Sequence, residues 1–155
     1  MKHILILAAL LLTTGTARAA EEPFGQNIGP WRFTQQDQPR NVVLCRAYLG
    51  DNRILRWTSG AVAVSVPANG IPPATYRETF FSAAGESEPV NATANAQRLT
   101  LNLDEGSLAH VVRGRGFQWR LLVNGSPRSG TIGFDQNVGA AVARLRECSR
   151  ANGGR

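Results

Sequence analysis

The chain is short of several residue types that chemistry usually draws on. Of its 155 residues, two are histidine, two are cysteine and one is methionine. Lysine occurs once, at Lys2, so every other basic residue is arginine. Acidic residues number 11 against 17 basic ones. After residue 12 there is no long apolar run, which leaves nothing of the roughly 20 residues that a membrane-crossing helix requires. No phosphate-binding glycine loop, dinucleotide fingerprint or zinc-ligand spacing occurs, no fixed-period repeat is present, and no cofactor is called for.

What is present begins with an export signal. Lys2 and His3 precede an apolar stretch over residues 4–12. Thr13 to Thr16 then relax the helix, and Ala17-Arg18-Ala19 supplies the small-x-small cleavage pattern. Residues 1–19 therefore read as a cleaved leader and residues 20–155 as one exported domain, periplasmic or secreted, with no anchor after cleavage. Removing Lys2 and Arg18 takes the net charge from +6 to +4. The leader also carries off His3, which leaves His110 as the single histidine.

In an oxidising compartment two cysteines point to one disulfide, Cys45–Cys148, ahead of a free thiol or a shared metal. A metal is disfavoured, because only His110 remains as a nitrogen ligand. The excess of arginine has two readings. One is codon bias in a GC-rich bacterial genome. The other is contact with anions, which guanidinium groups bind in a two-pronged way. Outside the cytosol such anions belong to lipid head groups, cell-wall carboxylates or acidic proteins; nucleic acid is not expected.

Period-two alternation dominates the chain. Trp31-x-Phe33 reads as a first short strand with its aromatics facing the core. Residues 41–49 and 53–58 read as a hairpin across Gly50-Asp51-Asn52. Further strands are predicted at 61–66, 75–82, 98–103, 107–112, 117–123 and 130–134. Asn69-Gly70 and Asn124-Gly125 mark turns. Residues 83–95 are polar and small and read as a surface loop, within which Asn91-Ala92-Thr93 is a sequon without meaning in a bacterium. The period then changes. Val138, Ala141, Val142, Leu145 and Cys148 share one helical face, with Asp135 or Asn137 as cap. The fold expected is mainly β, an antiparallel sandwich or highly curved sheet with one C-terminal helix.

Candidates for function are few. A Ser107–His110–Asp104 triad fails on geometry if 107–112 is a strand, because residues three apart face opposite sides. Glu86 and Glu88 read as solvated loop charges. The most unusual cluster is Arg113-Gly114-Arg115-Gly116-Phe117, followed by Trp119-Arg120. Arg113, Arg115, Trp119 and Arg120 are the candidate anion- or ligand-binding residues, against the plainer reading of a hairpin turn with solvated arginines.

Trp31-Arg32-Phe33, the segment Val43-Leu44-Cys45, the step Gly130-Thr131-Ile132-Gly133-Phe134 and the helix Ala140-Ala141-Val142-Ala143-Arg144-Leu145 together resemble the invasion-associated locus B family of exported bacterial proteins. The chain departs from that family in having only two cysteines, one on a strand and one on the terminal helix. The resemblance implies a periplasmic or secreted β domain linked in some bacteria to host-cell entry, and it carries over no catalytic residues. The function expected is non-enzymatic binding of an envelope or host protein, or of an anionic surface. The alternatives are a small secreted hydrolase using His110 or a loop carboxylate, and a lysozyme-inhibitor-like module. Lysozymes are commonly basic, which makes a +4 partner electrostatically awkward.

Overall fold

The computed structural model describes residues 19–154. The expected leader lies outside the described residues except for Ala19.

Alternating side chains produce ten strands: β1 (Glu22–Pro23), β2 (Arg32–Gln38), β3 (Val42–Leu49), β4 (Asn52–Trp57), β5 (Val62–Pro67), β6 (Ala74–Ala83), β7 (Glu86–Ala94), β8 (Arg98–Leu103), β9 (Gly116–Val123) and β10 (Ser126–Gly133). Two helices accompany them, α1 (Glu105–Gly114) and α2 (Val138–Ala151). All ten strands join one antiparallel sheet in the order β1-β2-β3-β4-β5-β8-β7-β6-β9-β10. Of the two architectures expected, the single curved sheet is the one found.

The period of two sorts each strand into a face for the core and a face for solvent. Phe33, Ala47, Ile54, Val64, Leu101 and Ala92 lie side by side across six strands, and all are buried. The helices pack on this inner face, α2 against β2, β3 and β4, and α1 against β5, β6, β8 and β9. Leu108 and Val111 of α1 join Val138, Ala141, Val142, Leu145 and Cys148 of α2 in one hydrophobic core with the sheet. A smaller cluster of Leu44, Leu55 and Ala63 lies on the opposite face.

The sheet bends far enough for its two ends to meet through side chains. Trp31, just before β2, stacks obliquely on Phe134, just after β10, at 5.4 Å between ring centroids. Its indole N–H donates to Asp135 Oδ1 at 2.6 Å. That bond holds the Asp135 carboxyl below the usual carboxylate range.

Two expectations need correction. Residues 107–112 are not a strand but belong to α1. Asp104 caps this helix by accepting the Ser107 N–H at 2.7 Å, and Leu108, Val111 and Val112 recur at helical spacing. The β-branched pair Val111-Val112 misleads propensity here, because burial of one helical stripe outweighs a fraction of a kcal/mol of preference. Residues 83–95 are not a loop either. Ala84 and Gly85, both at positive φ, make the tight turn of a hairpin, and β7 then pairs with β6 along most of its length. Pro89 is tolerated because β8 pairs only with Ala92, Thr93 and Ala94 of β7, leaving that side of the strand unpaired around Pro89.

The C-terminal helix lies where the spacing places it. Of the two cap candidates, the Asn137 side chain makes no capping bond, and Asp135 accepts the Asn137 N–H at 3.2 Å. Cys148 of α2 is bonded to Cys45 of β3, with 6.1 Å between their Cα atoms. The bond closes a loop spanning 103 positions. Loops of that size correspond to about 4–5 kcal/mol of lost unfolded-state entropy in the chain-entropy model. A Cys45→Ala/Cys148→Ala double variant is therefore expected to lose about 2–5 kcal/mol in urea unfolding relative to the oxidised protein. The reduced parent should behave in the same way.

Candidate functional site

The arginine-rich stretch that stands out in the sequence is divided by the fold. Arg113 ends α1, is exposed, and meets His110 Nδ1 at 2.6 Å. Arg115 caps the helix in the left-handed conformation, its backbone N–H donating to Val111 and Val112 carbonyls. Gly116 follows at φ 150°, where an added Cβ would strike the Ile132 carbonyl oxygen, so glycine is required by the close approach of β10. Trp119 turns inward and is buried, and Arg120 turns outward. The four predicted residues thus occupy a helix end, a turn, the core and the outer face. Only Trp119 and Arg120 share a cleft.

That cleft, of about 340 Å³, lies over β6, β7, β9 and β10. Strand register builds it from two parallel rows. One row runs Phe80, Arg120, Ser129, and the other runs Ser87, Ser82, Gln118, Thr131. Phe80 is 49% exposed, an unusual state for a phenylalanine, and the Arg120 guanidinium lies 5.2 Å from its ring centre. The neighbouring row offers hydroxyls and an amide, with Ser87 Oγ donating to Ser82 Oγ at 2.9 Å. Beneath them, the Trp119 indole N–H has no partner among the described residues, and a Cβ at Gly130 would come within 2.7 Å of it. Leu122, 57% exposed, extends the apolar surface along β9.

The sequence signal for Phe80, Ser82 and Gln118 was present in the alternation of β6 and β9. It is visible only once the facing of each strand is known. Ser87 was hidden by the reading of 83–95 as loop.

The catalytic candidates are placed as follows. His110 lies on α1, partly exposed, with Arg113 as its hydrogen-bond partner. Ser107 Oγ contacts Asp104 Oδ1 at 2.8 Å and also Glu88 Oε1, so neither of its bonds is to His110. Glu88 stands on β7, not in a loop. Glu105 joins three elements, accepting from Arg56 of β4 and, at 3.0 Å, from Arg146 of α2. Burial pushes its carboxyl up, but these two guanidinium groups hold it below the usual range. Among the described residues, no three His, Cys, Asp or Glu side chains are grouped so as to hold a metal ion. No helix there is long and apolar enough to cross a membrane.

Comparison of the chain with family models, with curated proteins and with solved structures gives no match. The geometry above is therefore the ground for a functional reading.

The position of α1, and with it Ser107 and His110, depends on the Asp104 cap. Bonds from the Ser107 N–H and hydroxyl hold the Asp104 carboxyl below its ordinary value. A carboxyl depressed in the folded state stabilises above its unfolded pKa and loses that contribution as pH falls through the folded value. Asp104→Ala is expected to cost about 1 kcal/mol at pH 7. Its deficit relative to the parent should shrink below about pH 4. Thermal or urea unfolding at both pH values checks the sign.

Proposed function

We propose that this chain is an exported bacterial protein that works by binding, not by turnover, and that its ligand is an acidic saccharide of the cell envelope or of a host surface. The observation that carries the reading is the Phe80–Arg120 pair on the outer face of the sheet. An exposed aromatic ring next to a guanidinium and a row of hydroxyl and amide groups offers each kind of contact such a sugar uses. The apolar C–H surface of a sugar ring packs on phenylalanine, its hydroxyls bond to Ser82, Gln118 and Thr131, and its carboxylate pairs with Arg120.

The export reading rests on the leader pattern of residues 1–19. A disulfide between Cys45 and Cys148 fits an oxidising compartment. The resemblance to the invasion-associated locus B family supports the same address and a role at the envelope or host interface. The hydrolase alternative has less support, because His110 bonds to a cation and neither bond of Ser107 is to it.

Calorimetric titration of the purified protein with uronic-acid and muramic-acid oligosaccharides, against neutral oligosaccharides of the same length, tests the proposal. Saturable binding of the acidic series is expected. Phe80→Ala and Arg120→Ala should each weaken it at least tenfold with little change in melting temperature, since both side chains are exposed. Equal affinity for acidic and neutral sugars, or no binding to either, would overturn it.

A further inference from the structure

A second cluster on the same outer face, at the other end of the sheet, was not evident from the sequence. Register places Arg32, Tyr48, Arg53 and Ser65 side by side on β2, β3, β4 and β5. The Arg32 and Arg53 guanidinium groups converge on the Tyr48 ring, at 4.1 and 4.9 Å from its centre. Arg98 of β8 joins them from the side. Its Nε donates to Ser65 Oγ at 3.1 Å, its Nη1 to the Asp51 carbonyl at 2.5 Å, and its Nη2 to the Ser65 carbonyl. Thr100 Oγ1 donates to Ser65 Oγ at 3.0 Å and fixes that anchor.

Carboxylates act on these arginines only from beyond ion-pair distance, Asp51 on Arg98 and Glu21 on Arg32. Among the described residues, none of them has a carboxylate at ion-pair distance. Glu21 is committed to Thr34, Tyr48 and Arg46. Arg53 Nε is buried without a hydrogen-bond partner. Burial first, and then the neighbouring Arg53 charge, push Arg98 down to about 10 against the opposing pull of the Asp51 carboxylate. The side chains are also held in place before any ligand arrives, two against a ring and one by the backbone, so little conformational freedom remains to be lost on binding.

We propose that Arg32, Arg53 and Arg98 form a binding site for a doubly charged tetrahedral oxyanion, a phosphate group. A dianion matches an excess of cations better than one carboxylate does, and guanidinium groups bind phosphate oxygens in pairs. The site is separate from the Phe80 cleft and does not depend on the saccharide reading.

The test is titration of the purified protein with inorganic phosphate, followed by calorimetry and by the NMR signals of the arginine Nε–H groups, with chloride at matched ionic strength as control. Neutral-lipid vesicles with and without phosphatidic acid form a second arm. Phosphate is expected to bind with one-to-one stoichiometry, to shift the Arg53 and Arg98 signals, and to raise the melting temperature. Arg53→Gln, which removes no hydrogen bond, should weaken binding at least tenfold, as should Arg32→Gln. Arg98→Gln should do the same if it folds; if it does not, the other two variants decide. Arg150→Gln on α2 should leave affinity within twofold. Vesicle capture lost in the same variants would identify a lipid headgroup as the source; phosphate binding without capture would identify a soluble one. No saturable binding of either probe, or binding unchanged in Arg53→Gln, would overturn the proposal.

Discussion

A sheet of ten strands that curls until its ends nearly meet must fill the hollow it creates, and this chain fills it with its own two helices. The buried apolar residues of α1 and α2 form one core with the inner face of the sheet. The arrangement is held by three kinds of bond that act at different ranges. The disulfide ties α2 to β3. The Glu105 carboxylate ties α1 to both α2 and β4. The Trp31 ring and indole tie the start of β2 to the segment after β10. Loss of the helices would expose a continuous apolar face across most of the strands.

Filling the hollow has a functional consequence. Many curved sheets hold a ligand inside, where side chains converge. Here aliphatic and aromatic side chains and a disulfide occupy that space, polar groups there such as Arg56 and Glu105 are bonded to one another, and the candidate ligand-binding groups lie on the outside. The outer face has two regions of different character. Over β6, β7, β9 and β10 it combines exposed apolar groups with hydroxyls and one arginine. Over β2 to β5 and β8 it concentrates arginine around a tyrosine. Guanidinium groups suit this setting better than ammonium groups would, because they lie flat on aromatic rings and bond in pairs. A modest net charge conceals this, since the asymmetry is local.

The sequence was most informative where a pattern repeats along one strand or helix. The face of α2 and the pairing of Cys45 with Cys148 follow from spacing within single elements and from compartment chemistry. The strands at 98–103 and 117–123 stand within one residue of the structure. The segment 105–114 was misread because six residues of Ser107-Leu108-Ala109-His110-Val111-Val112 fit a strand as well as a helix, and the Asp104 cap that decides between them is a single side chain. β7 was missed because alternating Ala92, Ala94 and small polar residues carry little hydrophobic contrast. The sites were less legible for a different reason. Arg113, Arg115, Trp119 and Arg120 are neighbours in the chain, yet a helix end, a turn and the alternation of β9 send them four ways. Arg32, Arg53 and Arg98 are far apart in the chain and meet only through strand register, which no local pattern encodes.

The central claim is that the inside of the sheet is structural and that ligands are met on the outside. Side-chain NMR mapping during titration with acidic oligosaccharides and with phosphate tests it most directly. The account predicts shifts at the Phe80 ring, the Gln118 amide, the Leu122 methyls and the arginine Nε–H groups of the outer face. The methyls of Leu108, Val111, Val142 and Leu145 should stay within the noise. Shifts confined to those inner methyls, with the outer-face probes unmoved, would contradict it.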